Sequence, residues 1–121
     1  MKKAEIILKM DTITILERSK IHIFKLKDVI GFFCDHPYLT IETVNEKPIL
    51  IFHSLKEIGE LLPIPFVVCN QSAIVNITHI RKMLPDKSTC FLYLENGRKV
   101  RVARRLKRDM MKEINRMLRE K

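Results

Sequence analysis

The sequence predicts one domain that is mainly β, with short helices and a basic helix at its C-terminus. Apolar and polar residues alternate with a period of two in many segments, as in strands that have one buried face. Asn96-Gly97 lies between two such segments and predicts a hairpin with a type I′ turn, because both residues tolerate positive φ. A four-residue apolar period, typical of an amphipathic helix, occurs near the C-terminus. Its residues are Leu106, Met110, Ile114 and Leu118.

The length and composition indicate a globular, cytoplasmic protein. A chain of 121 residues with 46% hydrophobic and 31% charged residues can bury one modest core. The sequence contains neither an apolar run long enough to span a bilayer nor a signal peptide. The three cysteines, Cys34, Cys69 and Cys90, are widely spaced. We therefore expect free thiols in a reducing cytosol, and neither a disulfide framework nor a zinc site.

Positive charge is concentrated at the C-terminal end. The formal net charge is +9, and the segment from Arg98 to Lys121 has 11 basic and 3 acidic residues. The residues before Arg98 have 12 basic and 11 acidic side chains, so that part is nearly neutral. This asymmetry is typical of a protein that binds a polyanion. The charge alone leaves two alternatives open. The basic helix could be solvated and have no partner, or it could contact anionic lipid.

The first half of the chain predicts a series of strands. Residues 1–12 are expected to form a lead with a short edge strand at Ile6–Leu8, and the domain is expected to span residues 13–121. Val29–Cys34 is a continuous apolar run with one glycine, which predicts a more deeply buried strand. Alternating patterns predict further strands at residues 13–15, 21–27, 39–43 and 49–52.

A short helix is predicted after these strands. Ser54 has the position of an N-cap, and Glu57 has the spacing of its capping-box partner. Pro63 marks the end of the helix. The apolar face is expected to contain Leu55, Ile58, Leu61 and Leu62.

The stretch from Pro65 to Met83 combines a strand with a polar tip. Residues 66–68 predict a strand, residues 69–72 are short and mostly polar, and residues 73–75 are apolar again. A polar tip between two apolar anchors is typical of a loop that a rigid scaffold presents to a ligand. The same pattern is also found in ordinary surface turns, and that alternative stays open.

Two motifs give this chain a resemblance to the LytTR-type DNA-binding domain of bacterial response regulators. That family typically has F-x-R-x-H-x-S-[FY]-[IL]-V-N followed by L-x-[DN]-G-x-x-[LV]-P-V-S-[RK]-R. The corresponding segments here are FVVCNQSAIVN at residues 66–76 and LENGRKVRVARR at residues 94–105. The resemblance covers about residues 13–118. This sequence departs from the family pattern at Val68, Asn70, Arg101 and Ala103.

The resemblance implies a LytTR-like β-sheet fold that reads double-stranded DNA through loops in successive major grooves, without a recognition helix. It places Asn70, Gln71 and Arg105 at base-contact positions, and the segment His36–Tyr38 near the remaining one. It also includes Asn76, for which we expect a structural role at the return of the loop. The expected function is a sequence-specific transcriptional regulator.

The residue types themselves fit this interpretation. The amides of Asn70 and Gln71, with Ser72 beside them, can pair with adenine N6 and N7. Arginine at 104 and 105 can reach guanine O6 and N7 or phosphate, and nearby cations would contact phosphate without specifying sequence. The predicted DNA-binding residues are His36, Tyr38, Asn70, Gln71, Ser72, Lys87, Arg104, Arg105, Lys107 and Arg108.

Other function classes have less support in the sequence. The histidines lack metal-ligand spacing, and there is no phosphate-binding glycine loop or nucleophile signature, so we expect no enzyme, cofactor or metal. Two alternatives remain. One is binding of single-stranded RNA, for which Phe91 and Tyr93 are the only suitable strand pair. The other is a protein-interaction or dimerisation module with the terminal helix as its seam, and a homodimer on repeated half-sites is also open. We expect no membrane partner.

Overall fold

A computed structural model describes residues 2–119, which form eleven strands and two α-helices. The mainly β prediction with a basic C-terminal helix is therefore confirmed. The helices are α1 (Leu55–Leu61) and α2 (Arg104–Arg119). Met1, Glu120 and Lys121, which the predicted lead and domain include, lie outside the described residues.

The strands form three antiparallel sheets. The first has the order β1-β2-β3, the second β6-β5-β4-β8-β7 and the third β11-β10-β9. The first and third sheets contain β1 (Glu5–Lys9), β2 (Thr12–Leu16), β3 (Ile21–Lys25), β9 (Ile80–Pro85), β10 (Cys90–Leu94) and β11 (Lys99–Arg101). The second sheet contains β4 (Val29–Asp35), β5 (Tyr38–Thr43), β6 (Ile49–Phe52), β7 (Phe66–Asn70) and β8 (Ala73–Asn76).

The second sheet is covered on both faces, and β4 shows why. Phe32 and Phe33 are neighbours in this strand, so their side chains point to opposite faces of the sheet. Phe32 packs in a cluster with side chains from the first sheet and α1. Phe33 packs in a second cluster with side chains from the third sheet and α2. The second sheet is therefore the middle layer, which explains the continuous apolar run that predicted a buried strand.

The N-terminal lead contributes to the first layer. The expected edge strand is present as β1, longer than predicted by one residue at each end. It pairs with β2 in a register that places Ile6 opposite Ile15. Ala4 N also donates to Phe52 O at 3.0 Å, which ties the lead to the middle sheet. The boundary between lead and domain at residue 12 stays a prediction.

The hairpin between β10 and β11 is confirmed, but its turn is not the predicted type I′. Gly97 has a φ of 89°, whereas Asn96 does not have a positive φ. Gly97 N donates to Leu94 O, and Leu94 N donates to Arg98 O, both at 2.9 Å. This is a three-residue loop in which a type I turn precedes a left-handed glycine. The Asn96 side chain stabilises it by accepting from Arg98 N at 3.1 Å.

Helix α1 begins after Ser54, as predicted. Glu57 N donates to Ser54 Oγ at 3.3 Å, which is one half of a capping box. The Glu57 carboxylate accepts from Lys3 Nζ at 2.6 Å, and this contact lowers the pKa of Glu57. Ser54 N donates to His53 Nδ1 at 2.9 Å. Leu61 was predicted to lie on the apolar face, but it is exposed, whereas the next residue, Leu62, packs against the core.

Helix α2 buries only part of its predicted stripe. Met110 is 2% exposed and lies in the cluster between the second and third sheets. Leu106 and Ile114 are partly buried, and Ile114 packs against that cluster. Leu118, the last residue of the apolar period, is 70% exposed. Met117, beside it in the last turn, is partly buried.

We expect Met110→Ala to lower the free energy of unfolding by about 2–5 kcal/mol, because it removes a buried side chain and leaves a cavity. Leu118→Ala is the matched control on the same helix and should change stability by less than about 0.5 kcal/mol. Urea denaturation measures both. Equal effects would mean that α2 does not pack on the sheets as described.

The three cysteines are free thiols in the structure, as predicted, and two are buried. Burial raises the pKa of the Cys69 thiol to about 12 and also raises the pKa of Cys90. Both therefore stay protonated at neutral pH and are poor nucleophiles. Cys34 is only partly buried.

We expect iodoacetamide at neutral pH to label native protein at Cys34 first, with Cys69 and Cys90 reacting slowly. Denatured, unreduced protein should yield all three thiols in a titration. Cys34→Ser is the control and should remove the fast phase of labelling. Rapid labelling of Cys69 in that variant would contradict its burial.

Candidate nucleic-acid interface

Three of the predicted reading segments meet at one end of the sheet stack. The β4–β5 turn and the β7–β8 turn lie side by side, because Cys34 N donates to Ser72 O at 2.8 Å. The start of α2 joins them, because Ala103 N donates to Cys69 O at 2.7 Å. Backbone hydrogen bonds therefore bring together segments that are about 35 residues apart in the sequence.

The β7–β8 turn is shaped by the amide of Asn70. Its Oδ1 accepts from Ser72 N at 2.6 Å, and its Nδ2 donates to Arg101 O at 2.5 Å. These contacts fold the turn and attach it to β11, so both ends of this amide bond the backbone. Gln71 and Ser72 lie at the tip and are exposed. Of the two adjacent amides in the sequence, Gln71 is the one that faces solvent.

The β4–β5 turn places His36 and Tyr38 differently. It is a two-residue turn in which Asp35 pairs with Tyr38 and the His36-Pro37 peptide is cis. His36 is exposed at the tip. Tyr38 is partly buried, and its ring packs edge-on against Phe52 with centroids 6.2 Å apart. His36 is thus directed outward, while the Tyr38 ring supports the turn.

The first turn of α2 contributes arginines to the same end. Arg104 and Arg105 are both exposed and directly follow Ala103, whose backbone bonds the end of β7. Arg108 is exposed one turn later. These three guanidinium groups therefore lie on the first turns of a helix whose start is bonded to the end of β7.

The β9–β10 turn is attached to α2 by Lys107. The Lys107 ammonium donates to Asp86 O at 2.9 Å. Asp86 Oδ1 accepts from Lys87 N at 2.7 Å, and Asp86 N donates to Thr89 O at 2.7 Å. Lys87 is exposed at the tip of this turn. The structure therefore places Lys107 partly inside the fold and Lys87 at the surface.

Sequence reasoning did not assign β11 to the site, although it placed Lys99 and Arg101 on the polar side of that strand. In the structure they line an open cleft between β11 and the two hairpin turns, which also includes Asp35 and Thr40. The sequence feature that could have assigned β11 to the site is its position between the Asn96-Gly97 turn and the Arg104-Arg105 pair. Its proximity to the β7–β8 turn depends on the Asn70 contact to Arg101 O, which no local pattern reveals.

Arg98 borders the same cleft but is held by other groups. Its Nε donates to Glu42 Oε2 at 2.8 Å, and its guanidinium carbon lies 3.9 Å from the centroid of the Phe33 ring. Glu42 is buried and also accepts from Asn96 Nδ2 at 2.6 Å. We assign Arg98 a role in attaching the third sheet to the middle sheet.

Asn76 has the structural role that the sequence predicted. It is 1% exposed, and its Nδ2 donates to Val29 O at 3.0 Å. Its Oδ1 accepts from the backbone N of Thr78 at 3.0 Å and from the hydroxyl of Thr78 at 2.7 Å. The side chain therefore caps the short 3-10 turn Ile77–His79.

Other kinds of site find no support in the part of the chain that the structure describes. Among residues 2–119, no group of three or more His, Cys, Asp and Glu side chains could hold a metal ion. No helix within the same range is long and apolar enough to cross a membrane.

Comparisons with known proteins agree with the architecture. The family model of the LytTr DNA-binding domain matches residues 19–115. A similar solved structure comes from Bacillus cereus and is described as the LytTr DNA-binding domain of a methyl-accepting/DNA response regulator. It is 25% identical with a TM-score of 0.73, and the match covers 88% of this chain and 98% of that one. Comparison with curated proteins gave no match. Since the family model spans most of the sequence, this chain belongs to the LytTr DNA-binding domain family.

Proposed function

We propose that this protein binds double-stranded DNA in a sequence-specific manner and regulates transcription. The observation that carries the proposal is the convergence of two exposed hairpin tips and the arginine-rich start of α2 at one end of a rigid stack. Such tips can enter the major groove, where each base pair presents a distinct pattern of donors and acceptors. A positively charged surround would bring the duplex to this end.

Gln71 is the amide that we assign to base reading. Its side chain is exposed at a tip whose backbone is fixed by the hydrogen bonds of Asn70. A glutamine can donate to adenine N7 and accept from adenine N6. Asn70, for which the sequence predicted the same role, is instead proposed to set the shape of the turn.

Arg105 and Arg104 are the candidates for guanine, since an arginine can bond O6 and N7 together. His36 is proposed to reach a third position from the neighbouring tip. Ser72, exposed beside Gln71, is proposed to contact phosphate or sugar. Helix α2 uses its Met110 side for the core, so it is not proposed to lie in the groove as a recognition helix.

Phosphate contacts are assigned to the exposed cations around these tips. Lys87 and Arg108 are exposed on either side of Lys107, whose ammonium bonds the β9–β10 turn. Such contacts position a protein on the duplex and carry no direct sequence information. They also make affinity depend on salt, because bound phosphates release counterions.

The proposed cellular role follows from the similar solved structure, which comes from a response regulator. We propose that this chain is the DNA-binding part of a bacterial regulator that acts in the cytoplasm, where its free thiols would stay reduced. Two copies on repeated half-sites would double the contacted length of DNA. Duplex binding measured by fluorescence anisotropy, with a site enriched from a random library, tests the proposal.

We expect Arg105→Ala and Gln71→Ala each to weaken the enriched duplex by about 1–3 kcal/mol and to relax preference at different base pairs. The physical reason is the loss of a bidentate contact, which removes discrimination together with affinity. Anisotropy against the enriched site and its single-base variants provides the measurement. An equal loss on every sequence would show that these residues do not read bases.

Asn70→Ala is the matched variant for the neighbouring amide. It should destabilise the fold, because Ser72 N and Arg101 O lose their partner, and urea denaturation should detect a loss of about 1 kcal/mol. Gln71→Ala should leave the free energy of unfolding unchanged. Reversed outcomes would exchange the roles of the two residues.

We expect Lys87→Ala to weaken all duplexes to a similar extent and to reduce the slope of log affinity against log salt by about 0.9. The exposed Lys25 of β3 lies in the first sheet, away from the proposed interface, and Lys25→Ala is the charge-matched control. A salt series in the anisotropy assay measures both slopes. If the two variants behave alike, the effect of Lys87 is one of net charge only.

A further inference from the structure

The outer face of the third sheet is a second basic surface, separate from the tips of the hairpins. Strands β9, β10 and β11 contain no acidic residue, and their side chains alternate between the core and solvent. The register places Phe91 between Leu84 and Arg101, and Tyr93 between Lys82 and Lys99. We call this surface the basic–aromatic face. It consists of Lys82, Leu84, Phe91, Tyr93, Lys99 and Arg101.

The two rings are left partly exposed in the middle strand of this sheet. Phe91 and Tyr93 are both half-buried, although Leu92 and Leu94 of the same strand lie fully in the core. Lysine ammonium groups lie over the ring faces. Lys99 Nζ is 4.2 Å from the Phe91 centroid and 5.9 Å from the Tyr93 centroid, and Lys82 Nζ is 4.9 Å from the Tyr93 centroid.

Protection of sheet edges accounts for part of this pattern. β9 and β11 are the edge strands, and lysine or arginine on an edge discourages pairing with another sheet. This explains the cations but not the aromatic residues, because β10 is the central strand. Aromatic residues are favoured in strands and pair with neighbours across them, which gives the rings a structural role as well. Two neighbouring rings that stay partly exposed beneath cations also form a surface on which bases can stack.

We propose that the basic–aromatic face binds single-stranded nucleic acid, with bases stacked on Phe91 and Tyr93 and phosphates bound by Lys82, Lys99 and Arg101. Base stacking on an aromatic ring contributes more than an exposed cation–π contact, so a base can displace the lysine from the ring. The displaced ammonium stays on a flexible stem within reach of the phosphate. Each ring can take its own base, because residues two apart in a strand are about 6.8 Å apart.

The same chemistry predicts little selectivity. The face offers rings and cations, and the Tyr93 hydroxyl is its one side-chain acceptor, so it lacks the acceptors and amides that read base edges or the ribose 2′-hydroxyl. DNA and RNA strands should therefore bind alike. Duplex DNA should not use this face, because its bases are already stacked on one another. The inference goes beyond the function proposed above: it shares Lys99 and Arg101 with the cleft beside the β7–β8 turn, but it adds the two rings and concerns a different form of nucleic acid.

The test is fluorescence anisotropy with labelled oligothymidylate and oligouridylate of about 12 nucleotides, within the site size of small single-strand-binding domains. We expect the double variant Phe91→Leu, Tyr93→Leu to lose at least about 10-fold in affinity for both strands. The same variant should keep its affinity for the enriched duplex. Loss of duplex binding with retained single-strand binding would overturn the inference and leave the proposed function standing.

Charge contributions are separated with a matched pair of double variants. Lys82→Ala with Lys99→Ala should reduce the salt slope for single strands by about 1.4, or about 0.7 for each cation. Lys9→Ala with Lys25→Ala removes two exposed lysines from the outer face of the first sheet and should leave the slope unchanged. Equal slopes for the two double variants would overturn the assignment of phosphates to this face.

Tyrosine emission reports stacking directly, because the chain has two tyrosines and no tryptophan. In a Tyr38→Phe variant, Tyr93 is the only tyrosine, and added oligothymidylate should quench its emission. A polyglutamate peptide of equal charge is the control and should neither quench nor compete. If the peptide binds as tightly as the oligonucleotide, or if no quenching occurs, the face is not a stacking surface. Circular dichroism checks whether the Phe91→Leu, Tyr93→Leu variant folds. If it does not fold, the quenching experiment and the Lys82→Ala, Lys99→Ala variant test whether the face binds single strands.

Discussion

The double burial of the middle sheet is the constraint on which the rest of this structure depends. Because β4 carries large apolar side chains on both faces, each face needs a cover, and the first and third sheets with their helices provide it. Within the middle sheet, β4 and β8 approach closely at Gly31, where a Cβ would lie 2.8 Å from Ile74 O and 2.7 Å from the Phe33 ring. Stacking on both faces leaves only the ends of the strands and the outer faces of the outer sheets available for a ligand.

Functional residues at the ends of strands then gain rigidity from the layers behind them. Cys69 is fully buried, while the turn that follows it two residues later is exposed. The bonds of Asn70 and Ala103 link this turn to β11 and to the start of α2, so that the third sheet and α2 together fix one tip of the middle sheet. A reading side chain on such a tip loses only its own rotamer freedom on binding, because the backbone is already ordered. On the proposed function, Asn70, which bonds the backbone, is therefore as necessary to recognition as Gln71, which is exposed.

The sequence predicted the elements better than their tertiary relations. Period-two alternation identified the strands, and Ser54 and Asn96-Gly97 identified a helix start and a hairpin, because these signals are local. The turn type was wrong, because the loop holds three residues and only Gly97 is left-handed, and the sequence signal does not fix the loop length. Leu61 was assigned to the apolar face of α1, but it is exposed, because periodicity alone does not show which residues of a face meet the core. The same limit applies to the site, where two adjacent amides look equivalent in the sequence but only Gln71 is exposed.

Strand β11 contributes to the core, to the cleft and to the β7–β8 turn at the same time. Val100 points into the core, whereas Lys99 and Arg101 point outward and line the cleft beside the β7–β8 turn. The carbonyl of Arg101 accepts from Asn70, so the backbone of β11, which carries Lys99 and Arg101, also fixes the tip of the β7–β8 turn. Any displacement of β11 would therefore move the turn, the cleft and the basic–aromatic face together. The basic residues are concentrated after residue 97, in the part of the sequence that forms β11 and α2. This fits the proposals, because β11 and α2 flank every surface for which a polyanionic ligand is proposed.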